Sequence, residues 1–197
     1  MNRLYDFNIK VLSDENEILN AKNLLYQTYV KDIDWLPPFD NPSGIHIINN
    51  GGLNIITDLY DNVSTWFGCF MKGNMVACYR SCQKINGKVE IQLYTQLPEE
   101  LLNKYTFREF SRLAITKEYR GSNLIIEIIK FTVMYCKQNK YSIITATALK
   151  HLATLYFKFG FKKHHHLFKY NTKDIRNAEI FYVDNNHDYV LKNCLAY

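Results

Sequence analysis

Polar and apolar residues alternate from Tyr5 to Leu12, the period-two pattern of a strand with one buried face. The period then lengthens. Ile18, Ala21, Leu25 and Tyr29 recur at helical spacing and Leu24 widens the stripe, which predicts a helix from Ser13 or Asp14 to about Lys31. Glu17, three residues after Asp14, gives that start a capping box. Pro37 and Pro38 in "DWLPPFDNPSG" stop the helix, because proline lacks a backbone donor and pushes its predecessor towards extended geometry. A loop to about Asn54 follows. Loops of more than ~12 residues in compact domains are commonly functional or mobile, so this stretch reads either as a substrate lid or as plain surface.

The next segment, "STWFGCFMKGNMVACYRSCQKINGKVEIQLYTQL", reads as an antiparallel meander whose strands are separated by turns at Gly73-Asn74 and Asn86-Gly87. Pro98 opens a short helix through about Lys104. Then come a strand over Phe107–Ile115, a helix over Ser122–Gln138, a strand over Tyr141–Ala148 and a helix over Lys150–Phe159 that ends at Gly160, a natural C′ residue. The long helix has Leu124, Ile125, Ile128, Phe131, Thr132 and Tyr135 as its expected buried face, and Lys137 and Lys140 near its negative end. Phe107–Ala148 is thus a β-α-β crossover. The expected fold is α/β (α+β): a mixed sheet, antiparallel first and parallel later, with helices on both faces.

A length of 197 residues suits one domain, expected over residues 1–197, and the even spread of apolar residues predicts a chain that is globular throughout. Five cysteines, odd in number and without a C-x-x-C pair, argue against a disulfide framework and a zinc site. The N-terminus lacks a long apolar core and no run approaches the ~18 residues of a membrane span, so a cytoplasmic protein without integral membrane contact is expected. The formal charge of +5 is scattered, a bias towards acidic partners. Without a basic helix interleaved with aromatics, nucleic acid is not the expected one.

Candidate chemistry gathers around "REFSRLAITKEYRGSNL" (Arg108–Leu124). Its turn leads from a strand into a helix, so the N–H groups of Gly121, Ser122, Asn123 and Leu124 can face an anion, helped by Arg120 and the helix dipole. The plainer alternative makes Gly121 a turn residue and Ser122 an N-cap. Strict alternation puts Glu109 and Ser111 on one sheet face and Arg112 on the other. All three can share a site only if a bulge interrupts the strand, and that bulge is expected. Otherwise Arg112 would pair with Asp61, or Glu109 with Arg80, as structural ion pairs. In "HHH" (His164–His166) neighbouring strand residues point to opposite faces, so no metal site is expected there.

The strand, Arg120-Gly121 turn, long helix, strand and final helix with "LYFKFGF" (Leu155–Phe161) resemble the acyl-donor half of GNAT acyltransferases. The earlier half resembles the acyl-homoserine-lactone synthases and N-acyl amino acid synthases. The matching residues are the aromatic pair Tyr29 and Trp35, the acidic pair Asp58 and Asp61 in "DLYD", Arg80 ending "GNMVACYR", Tyr94 fourteen residues on, and Glu109, Ser111 and Arg112 as E-x-S-R. Order and spacing agree up to about Phe161. The resemblance implies a GNAT-like mixed, mostly antiparallel central sheet flanked by helices on both faces.

It also implies an N-acyltransferase that moves a fatty acyl group from acyl carrier protein, or from acyl-CoA, to the amine of a small amino-acid-like acceptor. The co-substrate is then an acyl-phosphopantetheine thioester, with no metal. Glu109 becomes the candidate base and Tyr156 the acid for the leaving thiolate. Trp35, Asp58, Asp61, Arg80, Ser111 and Arg112 become acceptor-binding residues; Ile115, Arg120, Gly121, Ser122, Asn123 and Leu124 become donor-binding ones. Backbone N–H groups at the end of Phe107–Ile115 would hold the oxyanion.

Two positions depart from the pattern. Leu25 stands where the lactone synthases carry an arginine in the cleft that accepts S-adenosylmethionine, which counts against lactone formation. Asn123 and Ile125 occupy the last two places of the phosphate-loop spacing R-x-x-G-x-G/A, which favours a carrier-bound arm with one phosphate over whole coenzyme A. An acidic carrier also suits the basic charge. The alternatives are a GNAT acetyltransferase using acetyl-CoA and a non-catalytic acyl-binding module.

Overall fold

The computed structural model describes residues 5–104, 106–170 and 177–197. The expectation of a chain globular throughout also covers 1–4, 105 and 171–176, which lie outside the described residues. The elements run β1 (Asn8–Val11), α1 (Glu15–Tyr26), β2 (His46–Asn50), β3 (Leu53–Thr57), β4 (Ser64–Met71), β5 (Asn74–Cys82), α2 (Glu99–Lys104), β6 (Phe107–Ile115), α3 (Leu124–Asn139), β7 (Ser142–Thr147), α4 (Lys150–Lys158), β8 (Lys162–Phe168), β9 (Ala178–Val183) and α5 (His187–Leu195). The main sheet has the strand order β1-β4-β5-β6-β7-β9-β8, and β2 pairs only with β3. The β1/β4, β4/β5, β7/β9 and β8/β9 pairs are antiparallel, while β6/β7 is parallel, the mixed and mostly antiparallel sheet that was expected.

The chain divides into two compact units. One comprises Met1–Gln83 with Ser111–Ile128, the other Lys84–Phe110 with Ile129–Tyr197.

In the first unit Asp14 caps α1, its carboxylate accepting from the Glu17 N–H at 3.0 Å. The helix does not run to Lys31 as an α-helix. It widens at Tyr26 into a π-helical turn over Gln27–Asp32, a rare form that recurs near functional sites. Ala21, Leu25 and Tyr26 of its inner face pack with Leu12, Ile45, Ile56, Trp66, Cys78 and Ala114. The long loop expected to reach Asn54 is shorter, because residues 46–57 form a hairpin. Gly51 and Gly52 have φ of +59° and +87°, the two left-handed positions of a type I′ turn. What remains is tied down locally: the Asn41 amide donates to the Pro38 and Ile45 carbonyls and accepts from the Ile45 N–H.

The β4–β5 turn is centred on Lys72-Gly73, one residue before the expected place, with φ of +50° and +82°. The turn at Asn86-Gly87 is where it was expected, with both residues left-handed.

In the second unit the third strand expected of the meander is absent; Glu90–Leu93 is a 3₁₀ turn instead. Side chains capture the backbone donors a ladder would need. Gln92 accepts from the Val89 N–H and Glu109 from the Ile91 N–H. The buried stripe of α3, a helix shared by both units, is Leu124, Ile128, Ile129, Thr132, Val133 and Cys136, so Ile125, Phe131 and Tyr135 are only half-buried. Gly160 ends α4 with φ +89°, and a Cβ there would lie 2.4 Å from the Tyr189 ring. Lys163 of the edge strand β8 pairs with Glu179 and Lys162 with Asp184; charged edges of this kind discourage strand addition. All five cysteines are buried and none forms a disulfide, and burial pushes the Cys69 thiol up to about 12. No described helix is long and apolar enough to cross a membrane.

Candidate active site

Two constellations hold the residues singled out by sequence, one in each unit. In the first, Arg80 lies in β5 opposite Trp66 of β4, so both side chains share a sheet face, and the guanidinium carbon sits 5.9 Å from the Trp66 ring. Its Nη1 donates to Asp58 Oδ1 and to Asp61 Oδ1, both at 2.7 Å, and its Nε to Ser111 Oγ at 3.4 Å. Asp58 is fixed by the turn that follows β3, where its Oδ1 accepts from the Tyr60 N–H at 2.9 Å.

Arg112 Nη2 donates to Asp58 Oδ2 at 2.8 Å. Its φ is +58°, a left-handed residue inside a strand. Ser111 and Arg112, neighbours that alternation would send to opposite faces, thereby meet one carboxylate network. The ion pair that forms is Arg112 with Asp58, not with Asp61.

The aromatic pair is also formed. Tyr29 and Trp35 meet edge to face with ring centres 5.6 Å apart, and the Tyr29 hydroxyl donates to the Leu113 carbonyl on β6. Tyr29 thus links Trp35 to the strand that carries Ser111 and Arg112.

Sequence reasoning missed Lys22. Its Nζ lies 2.8 Å from Asp61 Oδ2, which also accepts from Thr57 Oγ1 at 2.5 Å. The available signal was spacing, since Lys22 stands one turn before the buried Leu25 and Tyr26 on α1.

Burial pushes the Asp58 carboxyl up, but the Arg112 and Arg80 guanidinium groups outweigh it and hold Asp58 below the usual carboxylate range. A lowered folded pKa means Asp58 contributes stability in full above its unfolded value of about 3.9, and that contribution is lost as pH falls through the folded value. Urea unfolding followed from about pH 6 to about pH 2 should therefore show a steeper acid loss in the native protein than in Asp58→Asn, whose unfolding free energy changes less over that range.

The proposed donor loop is in the same unit. Gly121 has φ +79° and open space around its Cα. Arg120 is engaged elsewhere: its Nη2 is 2.6 Å from Asp32 and its Nε donates to the Ile115 carbonyl at 2.8 Å. Two of the four N–H groups expected to be open are taken, Ser122 N–H by the Tyr119 carbonyl and Leu124 N–H by Ser122 Oγ. Ser122 Oγ thus takes up the first N–H of α3, while the Asn123 carbonyl accepts from the Ile126 and Glu127 N–H groups. The Asn123 amide exchanges bonds with the backbone of Tyr5.

In the second unit Glu109 is 2 % exposed and its Oε2 accepts from the Ile91 N–H at 2.8 Å. The β6/β7 ladder ends at the pair Phe110↔Thr145, where Thr145 Oγ1 donates to the Phe110 carbonyl. Tyr156 of α4 is buried against Phe161 and Phe181. Burial pushes its phenol up, opposed by a hydrogen bond with Thr145, so the group is protonated at neutral pH. Tyr94, the aromatic fourteen residues after Arg80, packs edge to face on Tyr170.

No protein-family model matches the chain, and no curated protein sequence matches it either. Solved structures do. An N-acyl amino acid synthase from uncultured soil microbes, FeeM, has 15 % identity and a TM-score of 0.64 over 91 % of each chain. BjaI, a CoA-dependent acyl-homoserine lactone synthase, has 12 % identity and a TM-score of 0.69 over 97 % of this chain and 89 % of its own. A GNAT family acetyltransferase from Elizabethkingia anophelis has 11 % identity and a TM-score of 0.54 over 90 % of this chain and 97 % of its own. The chain thus has the GNAT-like fold found in acyl-homoserine-lactone synthases and an N-acyl amino acid synthase.

Proposed function

We propose that the protein is an N-acyltransferase, moving a fatty acyl chain from a phosphopantetheine thioester to the amine of a small amino-acid-like acceptor. The reading is supported above all by the E-x-S-R segment: the left-handed Arg112 brings Ser111 and Arg112 together on the Asp58–Arg80–Asp61 network. A purely structural strand has no use for the strain of a bulky left-handed residue.

In this reading the acceptor amine attacks the thioester carbonyl, and Glu109 takes the amine's proton directly or through a water. Backbone N–H groups at the end of β6 hold the tetrahedral oxyanion. As the C–S bond breaks, Tyr156 gives its proton to the departing thiolate and is reprotonated from solvent. Trp35, Asp58, Asp61, Arg80, Ser111 and Arg112 shape the acceptor pocket, and Ile115 with Arg120–Leu124 borders the donor.

The donor is acyl carrier protein in preference to coenzyme A. Arg120 is held by Asp32, and the Ser122 and Leu124 N–H groups are bonded within the chain, which leaves a loop suited to one phosphate rather than to a pyrophosphate. The formal charge of +5 suits an acidic carrier in the cytoplasm.

Lipid extracts from cells overproducing the protein should contain a new N-acyl species by mass spectrometry, its fragments giving head group and chain length. Extracts identical to those of cells producing Glu109→Gln would reject the reading.

A further inference from the structure

A smaller ionic cluster lies at the proposed donor loop. Lys117–Tyr119 is a 3₁₀ turn, and the Arg120 N–H donates to the Lys117 carbonyl at 3.3 Å. Side chains three apart eclipse in such a turn, so the two cations leave the backbone on one side. A carboxylate from 88 positions before Arg120 sits on both. Asp32, the last residue of the π-helical turn Gln27–Asp32, receives Arg120 Nη2 on Oδ2 at 2.6 Å and Lys117 Nζ on Oδ1 at 3.2 Å. Among the described residues neither cation has another carboxylate.

Stability does not account for this arrangement. The side chains of Lys117, Arg120 and Asp32 are 63 %, 36 % and 22 % exposed, and solvent screens ion pairs of that kind until they contribute little. Position is the more telling feature. Arg120 directly precedes Gly121, where a Cβ would meet nothing within 4 Å, so the chain leaves room beside the guanidinium. A carboxylate and a phosphate offer oxygens to a guanidinium in the same way, and Asp32 already uses both of its own.

We infer that Asp32 is a built-in competitor of the donor's phosphate, which takes its place on Lys117 and Arg120, so that Asp32 sets how tightly the donor arm is held. The inference rests on the acyltransferase reading, which brings that phosphate to this loop, and adds the residue that regulates its binding. Exchange of one anion for another on screened cations costs little, which keeps the arm releasable after transfer.

The test is calorimetric binding of pantetheine, pantetheine 4′-phosphate and coenzyme A to the purified full chain, without acceptor. Asp32→Asn keeps the size of the side chain and removes its charge. It should tighten binding of the two phosphate-bearing probes about three- to tenfold, the range set by one or two partly exposed ion pairs, and leave pantetheine unchanged. In the Lys117→Gln/Arg120→Gln background the phosphate-bearing probes should bind like pantetheine, whichever residue stands at position 32. An equal shift of all three probes in Asp32→Asn would mean a reshaped pocket and overturn the inference. So would phosphate binding that is unchanged or weaker, or the full gain surviving in the background without the two cations. Single-turnover amide formation from a fatty-acyl carrier thioester and common L-amino acids separates the inference from the reading beneath it. Tighter phosphate binding in Asp32→Asn without turnover in the native protein upholds Asp32 as the competitor and rejects the acyltransferase, turnover with phosphate affinity unmoved does the reverse, and absence of both rejects both.

Discussion

Arg80→Met should lower the unfolding free energy by about 3 kcal/mol, the lower end of what breaking a buried ion pair costs. Arg80 is fully buried and binds the carboxylates of Asp58 and Asp61 through one nitrogen. Its removal leaves Asp58 and Asp61 facing an apolar side chain in a site they cannot leave. The cost stays near the lower end because each keeps a cation, Arg112 on Asp58 and Lys22 on Asp61. Against a typical total of about 5–15 kcal/mol the loss is large, and the urea midpoint should fall by about 1–2 M. Arg80→Lys keeps the charge but loses the Nε bond to Ser111, so it should fall between the two. A midpoint unchanged in Arg80→Met would mean that the network contributes nothing net, as a fully compensated desolvation penalty allows.

The conflict at the heart of this network was legible in the sequence, because alternation alone could not bring Ser111 and Arg112 to one site; a bulge serving Glu109 as well was expected, whereas the strand shows a left-handed φ at Arg112. Periodicity exposes such conflicts when both partners are polar and close in the chain. It hides features whose partners are far apart. Lys22 looks like the solvated flank of an amphipathic helix, and its role depends on Asp61 thirty-nine positions later, which no local pattern encodes.

The strand expected after Gly87 failed for a related reason. Val89, Ile91 and Leu93 alternate as a strand would, yet a glutamate on β6 takes the Ile91 N–H and Gln92, three residues after Val89, takes the Val89 N–H, and the segment is wound into a 3₁₀ turn. The β2/β3 hairpin was different, since Gly51-Gly52 between apolar runs is a local signal. It was obscured by the proline-rich stretch before it. The donor loop was legible in outline only. Gly121 turns as expected, but the claims of Asp32 on Arg120 and of Tyr119 on Ser122 are contacts that motif spacing does not reveal.

Glu109→Gln should abolish most turnover while leaving the fold in place, a fall in kcat of about 10²–10⁴-fold if Glu109 is the general base. The amide oxygen of glutamine can still accept from the Ile91 N–H that Glu109 now binds at 2.8 Å, so the 3₁₀ turn keeps its anchor. Glutamine cannot take a proton from the attacking amine. Glu109→Ala separates the two roles, because it also leaves the Ile91 donor buried and unpaired, at a cost of about 1–3 kcal/mol in stability. The measurement is single-turnover amide formation with an acyl carrier thioester, read beside a urea curve for each variant. The expected result is the same loss of rate in both variants and a shifted midpoint only in Glu109→Ala. Turnover retained in Glu109→Gln, with stability lost in Glu109→Ala, would make Glu109 an anchor for Glu90–Leu93 and remove it from the chemistry.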